Sequence, residues 1–279
     1  MQEKILIIGA TGLLGAPVTH QLREAGFAVR VLTRNGAKAA QLFGDSVEVM
    51  VGDPTNRSDL DKALAGCRGV HINLNGRPEQ IVAELLEKTA AVQGIRHITY
   101  ISGATVSEET RWFETINYKF LAEEAIRRSG IPYTIFRPTW FMESLPMFVQ
   151  DGRATIIGKQ PTPFHWLSAA DYARIVTAVY QQPDRAANQT LILYGPEGMT
   201  MLEALTRYCA VAHPDIKAGS MPFWMAKLLA TMMRSDGMKT AVAMMAYFEK
   251  VGEPGQPTAN TALGTPATTL DQWLAKQNL

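Results

Sequence analysis

Three glycines stand at a spacing that could hold a pyrophosphate: Gly9, Gly12 and Gly15. In such a loop the first glycine permits a tight turn, the second lets phosphate oxygens approach the backbone, and the third lets a helix pack closely against a strand. The spacing is GxxGxxG, which differs from the usual GxGxxG fingerprint. The alternative is a glycine-rich turn without a ligand. We predict a dinucleotide site, and its candidate residues in this loop are Gly9, Thr11, Gly12, Leu13, Leu14 and Gly15.

The residues on either side of the loop predict the elements that such a site needs. Residues 4–8 form a short apolar run rich in β-branched side chains, which is typical of a buried parallel strand. Residues 16–25 follow a helical pattern, with Pro17 in the first turn and Gly26 at the position of a C-terminal cap. The N-terminus of that helix would offer N–H groups and the positive end of its dipole to the anion.

The end of the second predicted strand, residues 28–32, indicates which dinucleotide binds. An NAD-specific protein normally has an acidic residue here, about 20 residues beyond the glycines, to hold the ribose 2′-hydroxyl. This chain has Thr33 and Arg34, with Lys38 one turn further on. Because a guanidinium suits a 2′-phosphate, we predict that Thr33 and Arg34 bind NADP(H). The alternative for Arg34 is a solvated surface arginine.

Two further polar residues follow predicted strands at the edge where ligands bind in this architecture. Asp53 follows the third strand, residues 47–51, and Asn75 follows the fourth strand, residues 70–74. Both are candidate cofactor-binding residues, although Asp53 fits a turn aspartate that bonds its own backbone equally well. His71, within the fourth strand, is interpreted as a buried core histidine.

Lys119 and Ser102 are the candidate catalytic residues. Lys119 lies in a predicted helix over residues 110–129, and its ammonium could bond the nicotinamide ribose and stabilise developing negative charge. Ser102 lies at the carboxyl end of the fifth predicted strand, residues 96–101, where its hydroxyl could bond substrate or ribose. The alternatives are a surface lysine on an exposed helix and a turn serine.

The alternation of strands and helices over the first half of the chain predicts a Rossmann-type, doubly wound parallel sheet. The helix after the third strand is predicted to have Ser58 as its N-cap. Beyond about residue 145 the alternation loosens, and a smaller mixed α/β lobe is predicted. We therefore predict a NADP-binding domain over residues 1–145 and a substrate lobe over residues 146–279, with a segment at about 169–194 returning to the first domain. Residues 252–269, rich in proline, glycine and threonine, are predicted to form a loop.

Aromatic and apolar residues follow the sixth predicted strand and recur later in the chain. For any one of them ordinary core packing is the favoured interpretation, but as a group they suit a pocket for an aromatic or quinone-like substrate. The predicted pocket residues are Trp140, Phe141, Met142 and Trp166.

Charge and cysteine content argue against several classes of protein. The 279 residues include 27 Lys plus Arg against 26 Asp plus Glu, a net charge of +1, which gives no sign of a nucleic-acid or membrane-surface partner. Cys67 and Cys209 lack metal-ligand spacing, so we expect reduced thiols and no metal. With 47% hydrophobic residues, no signal peptide and no run long enough to span a bilayer, a globular cytoplasmic protein is expected.

Several motifs taken together resemble one family. They are the glycine loop at 9–15, Val31-Leu32-Thr33-Arg34, Val51-Gly52-Asp53, Lys119 with Ala122-Glu123, the stretch 129–138 and Asp171-Tyr172-Ala173. Over nearly its whole length the chain resembles the atypical short-chain dehydrogenases/reductases, in the NmrA-like branch alongside the isoflavone-reductase-type enzymes. This resemblance implies a Rossmann domain, NADP(H), and a cleft between that domain and a variable lobe. The branch includes both reductases and cofactor-sensing regulators.

The chain departs from the common Tyr-x-x-x-Lys pattern of short-chain dehydrogenases, because Thr115 stands four residues before Lys119. Tyr118 lies about 100° around the helix from Lys119 and cannot point into the same site. The sequence therefore lacks the phenol that usually gives a proton to a ketone. In isoflavone-reductase-type enzymes the lysine stands without that tyrosine, so the resemblance keeps reduction possible here.

Two functions follow from these residues. The favoured one is an NAD(P)H-dependent oxidoreductase that reduces a small apolar or aromatic carbonyl, enone or quinone. The other is an NADP(H)-binding redox sensor of the NmrA type, which passes the state of the cofactor to a protein partner without turnover. Lys119 favours the enzyme, and the missing tyrosine favours the sensor.

Overall fold

The computed structural model describes residues 3–255 and 263–277. Within this part of the chain two compact units form. The first unit takes its described residues from Met1–Pro138, Ala169–Leu193 and Ala259–Thr265, and the second takes its own from Thr139–Ser168, Tyr194–Thr258 and Pro266–Leu279. The chain leaves the first unit at residue 138, returns at 169 and leaves again at 193. Residues 256–262 of the predicted loop lie outside the described residues.

Strands and helices alternate along the first half of the chain, as predicted. The strands of the described residues are β1 (Lys4–Ile8), β2 (Ala28–Thr33), β3 (Glu48–Val51), β4 (Gly69–Ile72), β5 (His97–Ile101), β6 (Tyr133–Pro138), β7 (Val149–Gln150), β8 (Arg153–Ile157), β9 (Phe164–His165), β10 (Gln189–Leu193), β11 (Gly198–Met199) and β12 (Ala218–Met221). The helices are α1 (Gly15–Glu24), α2 (Gly36–Phe43), α3 (Arg57–Leu64), α4 (Arg77–Thr89), α5 (Glu114–Arg128), α6 (Ala169–Gln181), α7 (Met201–Ala212), α8 (Phe223–Met232), α9 (Asp236–Val251) and α10 (Leu270–Leu274). Short 3₁₀ segments lie at Gly44–Ser46, Glu108–Thr110, Met142–Phe148 and Pro183–Arg185.

Within the described residues of the first unit, seven strands form one parallel sheet in the order β10-β6-β5-β4-β1-β2-β3. From β1 the chain adds β2 and β3 on one side, and then crosses to β4 on the other side. The carboxyl ends of β1 and β4 therefore flank the switch point, where ligands bind in open α/β sheets. The predicted doubly wound parallel sheet is confirmed, and β10 extends it next to β6.

Different helices cover the two faces of this sheet. One face packs against α3, α4 and α5 through an apolar cluster that includes Leu6, Ile72 and Ile98. On the other face α1 packs against α6, and the hydroxyls of Tyr180 in α6 and Thr99 in β5 bond each other at 2.7 Å. Because successive side chains of a strand point to opposite faces, covering both faces buries every residue of β4 and β5.

Two predicted helix starts are wrong. The sequence favours Ser58 as the N-cap of α3, but the side chain of Asn56 accepts the N–H of Asp59, and Ser58 lies inside the helix. Asparagine caps a helix as well as serine does, so residue type alone does not choose between them. The helix that carries Lys119 begins at Glu114 and not at residue 110, because residues 108–110 form a 3₁₀ turn.

The second unit has an apolar core of its own. In this unit β8 pairs in parallel with β12 and antiparallel with β7, and β9 pairs antiparallel with β11. Helices α7, α9 and α10 pack with Trp166, which is wholly buried and donates its indole N–H to the carbonyl of Met199. None of the helices in residues 3–255 and 263–277 has the length and apolar character needed to cross a membrane.

His71 is a buried core histidine, as the sequence predicts. Its side chain is wholly buried in β4, and its Nδ1 bonds the Thr99 hydroxyl at 2.8 Å. Burial lowers the pKa of His71 to about 3. It also lowers the pKa of His97 in β5 to about 4. Both imidazoles are therefore neutral in the folded protein over the physiological range.

These histidines predict how the free energy of unfolding depends on pH. In the unfolded chain histidine titrates near 6.5, so the unfolded state takes up protons first as the pH falls. The contribution to stability is complete above about pH 6.5 and decreases towards the folded pKa values by about 1.4 kcal/mol per pH unit for each histidine. We expect His71→Gln to reduce the slope by about that amount between roughly pH 6 and 4.5. Urea unfolding followed by circular dichroism measures the slope, and an unchanged slope contradicts the assignment.

Candidate functional site

The loop after β1 lies at the switch point of the sheet, and steric contacts explain two of its three glycines. A Cβ at Gly9, whose φ is +85°, would lie 1.9 Å from the carbonyl oxygen of Asn73, just after β4. A Cβ at Gly15 would lie 2.1 Å from the carbonyl oxygen of Gly9. At Gly12 the nearest such atom is 3.3 Å away, and the residue is exposed. The fold therefore requires glycine at positions 9 and 15, whereas the missing side chain of Gly12 leaves space for a ligand.

The start of α1 presents backbone donors beside this space. The helix follows Leu14, which makes no side-chain capping bond, and its first turn has no acidic residue. Within the described part of the chain the N–H groups of Leu13 and Leu14 have no acceptor, while the N–H of Gly12 bonds Gly9. Thr11 is half-buried in the same loop. A helix N-terminus with unused N–H groups binds phosphate, so the loop has the donors and the space that a pyrophosphate needs.

Two exposed cations follow β2, with Arg34 directly after the strand and Lys38 in α2. The Thr33 hydroxyl accepts the N–H of Asn35 at 3.1 Å, and the Asn35 side chain caps α2 by accepting the N–H of Lys38 at 2.9 Å. These bonds fix the backbone between β2 and α2, while the side chains of Arg34 and Lys38 are exposed. A guanidinium and an ammonium at this point have the charge that a 2′-phosphate needs.

Asp53 and Asn75 follow β3 and β4, and they differ in their bonding. Asp53 accepts both the N–H and the hydroxyl of Thr55, at 2.9 and 2.7 Å. These hydrogen bonds, with a smaller contribution from the charge of Arg34, lower the pKa of the Asp53 carboxyl. The sequence predicts that Asp53 either binds the cofactor or bonds its own turn, and the hydrogen bonds to Thr55 are those of a turn aspartate. Asn75 is exposed, next to Gly76, where the chain turns into α4 with φ of +76°.

A buried carboxylate holds Lys119 at the carboxyl end of the sheet. The Nζ of Lys119 lies 2.9 Å from Oε2 of Glu79, whose side chain is 0% exposed against 13% for Lys119. The Tyr100 hydroxyl donates to the same oxygen at 2.7 Å, and the N–H of Gly76 donates to Oε1 at 2.9 Å. Glu79 therefore connects the loop before α4 with β5 and α5. Burial raises the pKa of Glu79, and the charge of Lys119 opposes that rise.

The ammonium of Lys119 has donors left for a ligand. An ammonium has three N–H donors, and Glu79 is its one hydrogen-bond acceptor among the residues that the structure describes. The aliphatic stem of Lys119 runs past Gly103, just after β5, where a Cβ would lie 3.7 Å from the lysine Cδ. Since buried donors are normally satisfied, the two remaining N–H groups fit oxygen atoms of a bound molecule.

Ser102 bonds a second buried carboxylate. Its hydroxyl donates to Glu123 at 2.5 Å. Arg137 donates to both oxygens of Glu123, at 2.9 and 2.6 Å, and Arg127 adds a bond at 2.7 Å. Glu123 is wholly buried. The Ser102 hydroxyl therefore already serves as a donor within an internal network.

No neighbouring tyrosine takes the place of the missing phenol on α5. The hydroxyl of Tyr118 donates to Glu114 at 2.6 Å, whereas Lys119 bonds Glu79, so the two adjacent side chains have different partners. Tyr100 is wholly buried, and burial raises the pKa of its phenol well above the usual range. Its hydroxyl is therefore a hydrogen-bond donor to Glu79 and not a proton donor for a substrate.

Several members of these networks have no predicted role from the sequence. Two signals point to them: a glutamate three residues after a helix N-cap can bond back to the N-cap backbone, and charged residues four apart share one face of a helix. A charged face that packs on a sheet needs buried partners. The residues that the prediction misses are Glu79, Tyr100, Glu123 and Arg137.

The predicted pocket residues all lie in the second unit. Met142 and Trp166 are 0% exposed and Phe141 is 8% exposed, so these three pack in or beside its core. Trp140 is half-buried, and its ring centroid lies 4.9 Å from that of Phe248. The indole N–H of Trp140 has no acceptor among the described residues. Of the four predicted pocket residues, Trp140 therefore has an indole N–H that could donate to a ligand.

The sheet order and the glycine loop at the switch point define a Rossmann-type α/β protein. A family model, the NmrA-like family, matches residues 1–274. The chain therefore belongs to the NmrA-like family, and the resemblance drawn from its motifs is confirmed.

Proteins similar to this chain include reductases and a regulator. The NAD(P)H azoreductase of Xenophilus azovorans is 26% identical over 250 residues, which cover 86% of this chain and 83% of that protein. The crystal structure of an NADPH-dependent quinone oxidoreductase of Escherichia coli, complexed with NADPH, has a TM-score of 0.76 at 22% identity and covers 97% of this chain and 98% of that chain. The negative transcriptional regulator NmrA, in complex with NADP, has a TM-score of 0.64 at 19% identity, covering 79% and 74%. At these identities the two solved structures establish the fold alone.

The contacts of the glycines predict different effects of substitution at positions 9 and 12. Gly12→Val should abolish dinucleotide binding and leave the protein folded, because a side chain there fills the space beside the Leu13 and Leu14 N–H groups. Gly9→Ala should disrupt the fold, since its Cβ meets a backbone oxygen at 1.9 Å. Calorimetric titration measures binding and circular dichroism measures folding.

The matched control is Gly219→Val in the second unit, where a Cβ meets no atom within 4 Å. This variant should bind and fold like the parent protein. Retained dinucleotide affinity in Gly12→Val would mean that the loop is only a turn.

Proposed function

We propose that this protein binds NADP(H) and is a reductase that transfers hydride to a small aromatic or apolar acceptor, quinones and enones first and simple carbonyls after them. The observation that carries the proposal is the mostly buried ammonium of Lys119, which has two donors left for a ligand at the carboxyl end of the sheet. NADPH, when bound, supplies the hydride, and the protein must stabilise the negative charge that develops on the acceptor. Lys119 is the residue that does so. Ser102 has a structural role, because its hydroxyl donates a hydrogen bond to Glu123.

Three features of the first unit support the choice of cofactor. The glycine loop offers N–H donors and space to a pyrophosphate. Arg34 is an exposed cation directly after β2, where an NAD-specific protein would have an acid, and Lys38 is a second exposed cation in α2. Asn75 is exposed after β4, on the other side of the switch point. The names of the relatives agree, since they include an NAD(P)H azoreductase and an NADPH-dependent quinone oxidoreductase.

The missing phenol favours acceptors whose reduced form is a weak base. A ketone that takes up hydride becomes an alkoxide, a strong base whose formation needs a proton donor. A quinone that takes up hydride becomes a hydroquinone monoanion, a much weaker base that an ammonium can stabilise until water protonates it. The balance is one quinone, one NADPH and one proton from the solvent, which give one hydroquinone and one NADP⁺. This chemistry suits Lys119 acting without a tyrosine.

A cofactor sensor of the NmrA type is the second candidate. It is favoured by Thr115 at the position of the usual tyrosine and by the structural similarity to a transcriptional regulator that binds NADP. A sensor needs the dinucleotide site but no turnover, and NADP⁺ and NADPH would then differ in how they change the binding of a protein partner.

Arg34→Ala tests the choice of cofactor. It should weaken NADPH binding by about 1.5–3 kcal/mol, the scale of a hydrogen bond to a charged group, and leave NADH binding almost unchanged. Arg23→Ala, in the last turn of α1 and so at the opposite end of that helix from the loop, is the control that should change neither. If Arg34→Ala weakens the binding of NADPH and NADH equally, Arg34 does not bind the 2′-phosphate.

Lys119→Met separates the enzyme from the sensor. The substitution keeps an apolar stem and removes the cation, so NADPH oxidation with quinones, enones and aldehydes should slow by about 100-fold or more. NADPH affinity should change much less. Lys88→Met on α4, an exposed lysine, is the matched control and should retain full activity.

If the parent protein oxidises NADPH with none of these acceptors, the reductase proposal fails and the sensor is favoured. If the parent protein is active and Lys119→Met is equally active, the assignment of Lys119 is wrong.

A further inference from the structure

Glu79 is the one wholly buried carboxylate that bonds Lys119 among the described residues. It belongs to α4, while Lys119 belongs to α5 and Tyr100 to β5. Its two oxygens have different partners: Oε1 accepts the N–H of Gly76, and Oε2 accepts both the Tyr100 hydroxyl and the Lys119 ammonium. Every bond that fixes this carboxylate comes from a residue near the carboxyl ends of β4 and β5.

Each of these bonds limits where the lysine Nζ can lie. The bond from Gly76 ties Glu79 to the backbone at the start of α4, and the bond from Tyr100 ties it to the sheet. The Tyr100 ring also lies below the ammonium, with its centroid 5.9 Å from Nζ. An unsupported lysine has four rotatable side-chain bonds and a large choice of positions. Held in this way, the ammonium has a defined position beside the Glu79 carboxylate and the Tyr100 ring.

We propose that Glu79 is a positioning residue for Lys119, fixing the ammonium at the carboxyl edge of the sheet so that its two remaining N–H donors face the bound cofactor and acceptor. The effect on turnover rests on the proposed reductase function, whereas the effect on the lysine itself does not. Tyr100 and Gly76 orient the carboxylate and are part of the same support.

A second buried carboxylate on this side of the sheet, that of Glu123, has different hydrogen-bond partners from Glu79. Glu123 lies one turn beyond Lys119 on α5 and accepts bonds from two arginines and a serine. It is saturated by cations of its own, and no bond joins it to Lys119 within the described residues. Burying a carboxylate is costly unless it is paired, so each of the two has its own set of donors. Of the two sets, the one around Glu79 includes an ammonium whose other N–H donors have no acceptor in the part of the chain that the structure describes.

The test measures the accessibility of Lys119 and turnover in the same variants. Glu79→Gln keeps the shape but removes the charge, and Glu79→Asp keeps the charge but withdraws it by one methylene. In both, acetylation of Lys119 by acetic anhydride, followed by peptide mass spectrometry without cofactor, should become several-fold faster. The kcat for quinone reduction should fall roughly 10- to 100-fold, the scale of a misplaced catalytic group. KM for the quinone and the Kd for NADPH should change much less.

Glu87→Gln is the matched control. Glu87 lies on the same helix and joins it to α5 through Arg128, at 3.0 Å from each of two guanidinium nitrogens. This variant should match Glu79→Gln in any general loosening between α4 and α5, but leave the acetylation of Lys119 and the kcat unchanged. Acetylation of Lys88, an exposed lysine, is the internal standard for the reactivity of the reagent, and circular dichroism reports general unfolding.

The experiment distinguishes failure of the positioning role from failure of the proposed reductase function. Faster acetylation in both Glu79 variants but not in the control supports the positioning role, even if no acceptor is reduced and the proposed function fails. Unchanged acetylation of Lys119 in Glu79→Asp overturns it, and so does a Glu79→Gln variant that folds and keeps the parent kcat. Should Glu79→Gln fail to fold, Glu79→Asp decides alone.

Discussion

The carbonyl oxygen of Asn73 occupies the place where a side chain at residue 9 would begin. A Cβ there would lie 1.9 Å from that oxygen, so the loop after β1 and the end of β4 can approach only because residue 9 is glycine. This approach brings together the two strand ends at which the sheet reverses its order. It also sets the start of α1, because Gly15 must pass equally close to the backbone of Gly9. The N–H donors of the loop and the support around Lys119 both lie at the carboxyl edge that this contact forms.

Two buried glutamates on one side of the same sheet have contrasting surroundings. Glu123 accepts from Arg137, Arg127 and Ser102, and this network is closed. Glu79 accepts from one ammonium, one phenol and one backbone N–H, and among residues 3–255 and 263–277 the Lys119 ammonium has no second acceptor. Both arrangements compensate for the loss of water around a carboxylate. The first contributes to the structure of the unit, and the second keeps hydrogen-bonding capacity at the edge where ligands bind.

The elements that adjacent residues encode can be predicted from the sequence, whereas the hydrogen bonds between side chains that are far apart in the chain cannot. The strand at 4–8, the glycine loop and the helix after it are encoded in adjacent residues, so pattern and spacing predict them. His71 is also predictable, because a polar residue in a strand covered on both faces must find a buried partner. The bond between Glu79 and Lys119 joins residues that are far apart in the chain, and it depends on β4 and β5 being neighbours in the sheet. Ser102 has the right location for a ligand, but its hydroxyl points to Glu123, which strand order alone does not reveal.

The placement of β10 has a consequence for how the protein is made. The strand at Gln189–Leu193 completes the sheet beside β6, but the chain enters the second unit at residue 139 and returns only at 169. While a ribosome is synthesising that excursion, the six strands already released have an open edge at β6, and α1 lacks the helix α6 that packs on it. A strand that lacks its neighbour presents unpaired backbone N–H and C=O groups. Nascent chains that end between residues 139 and 188 therefore expose the backbone groups of β6 that β10 pairs in the folded protein, and a gene fragment ending at residue 138 encodes an incomplete sheet.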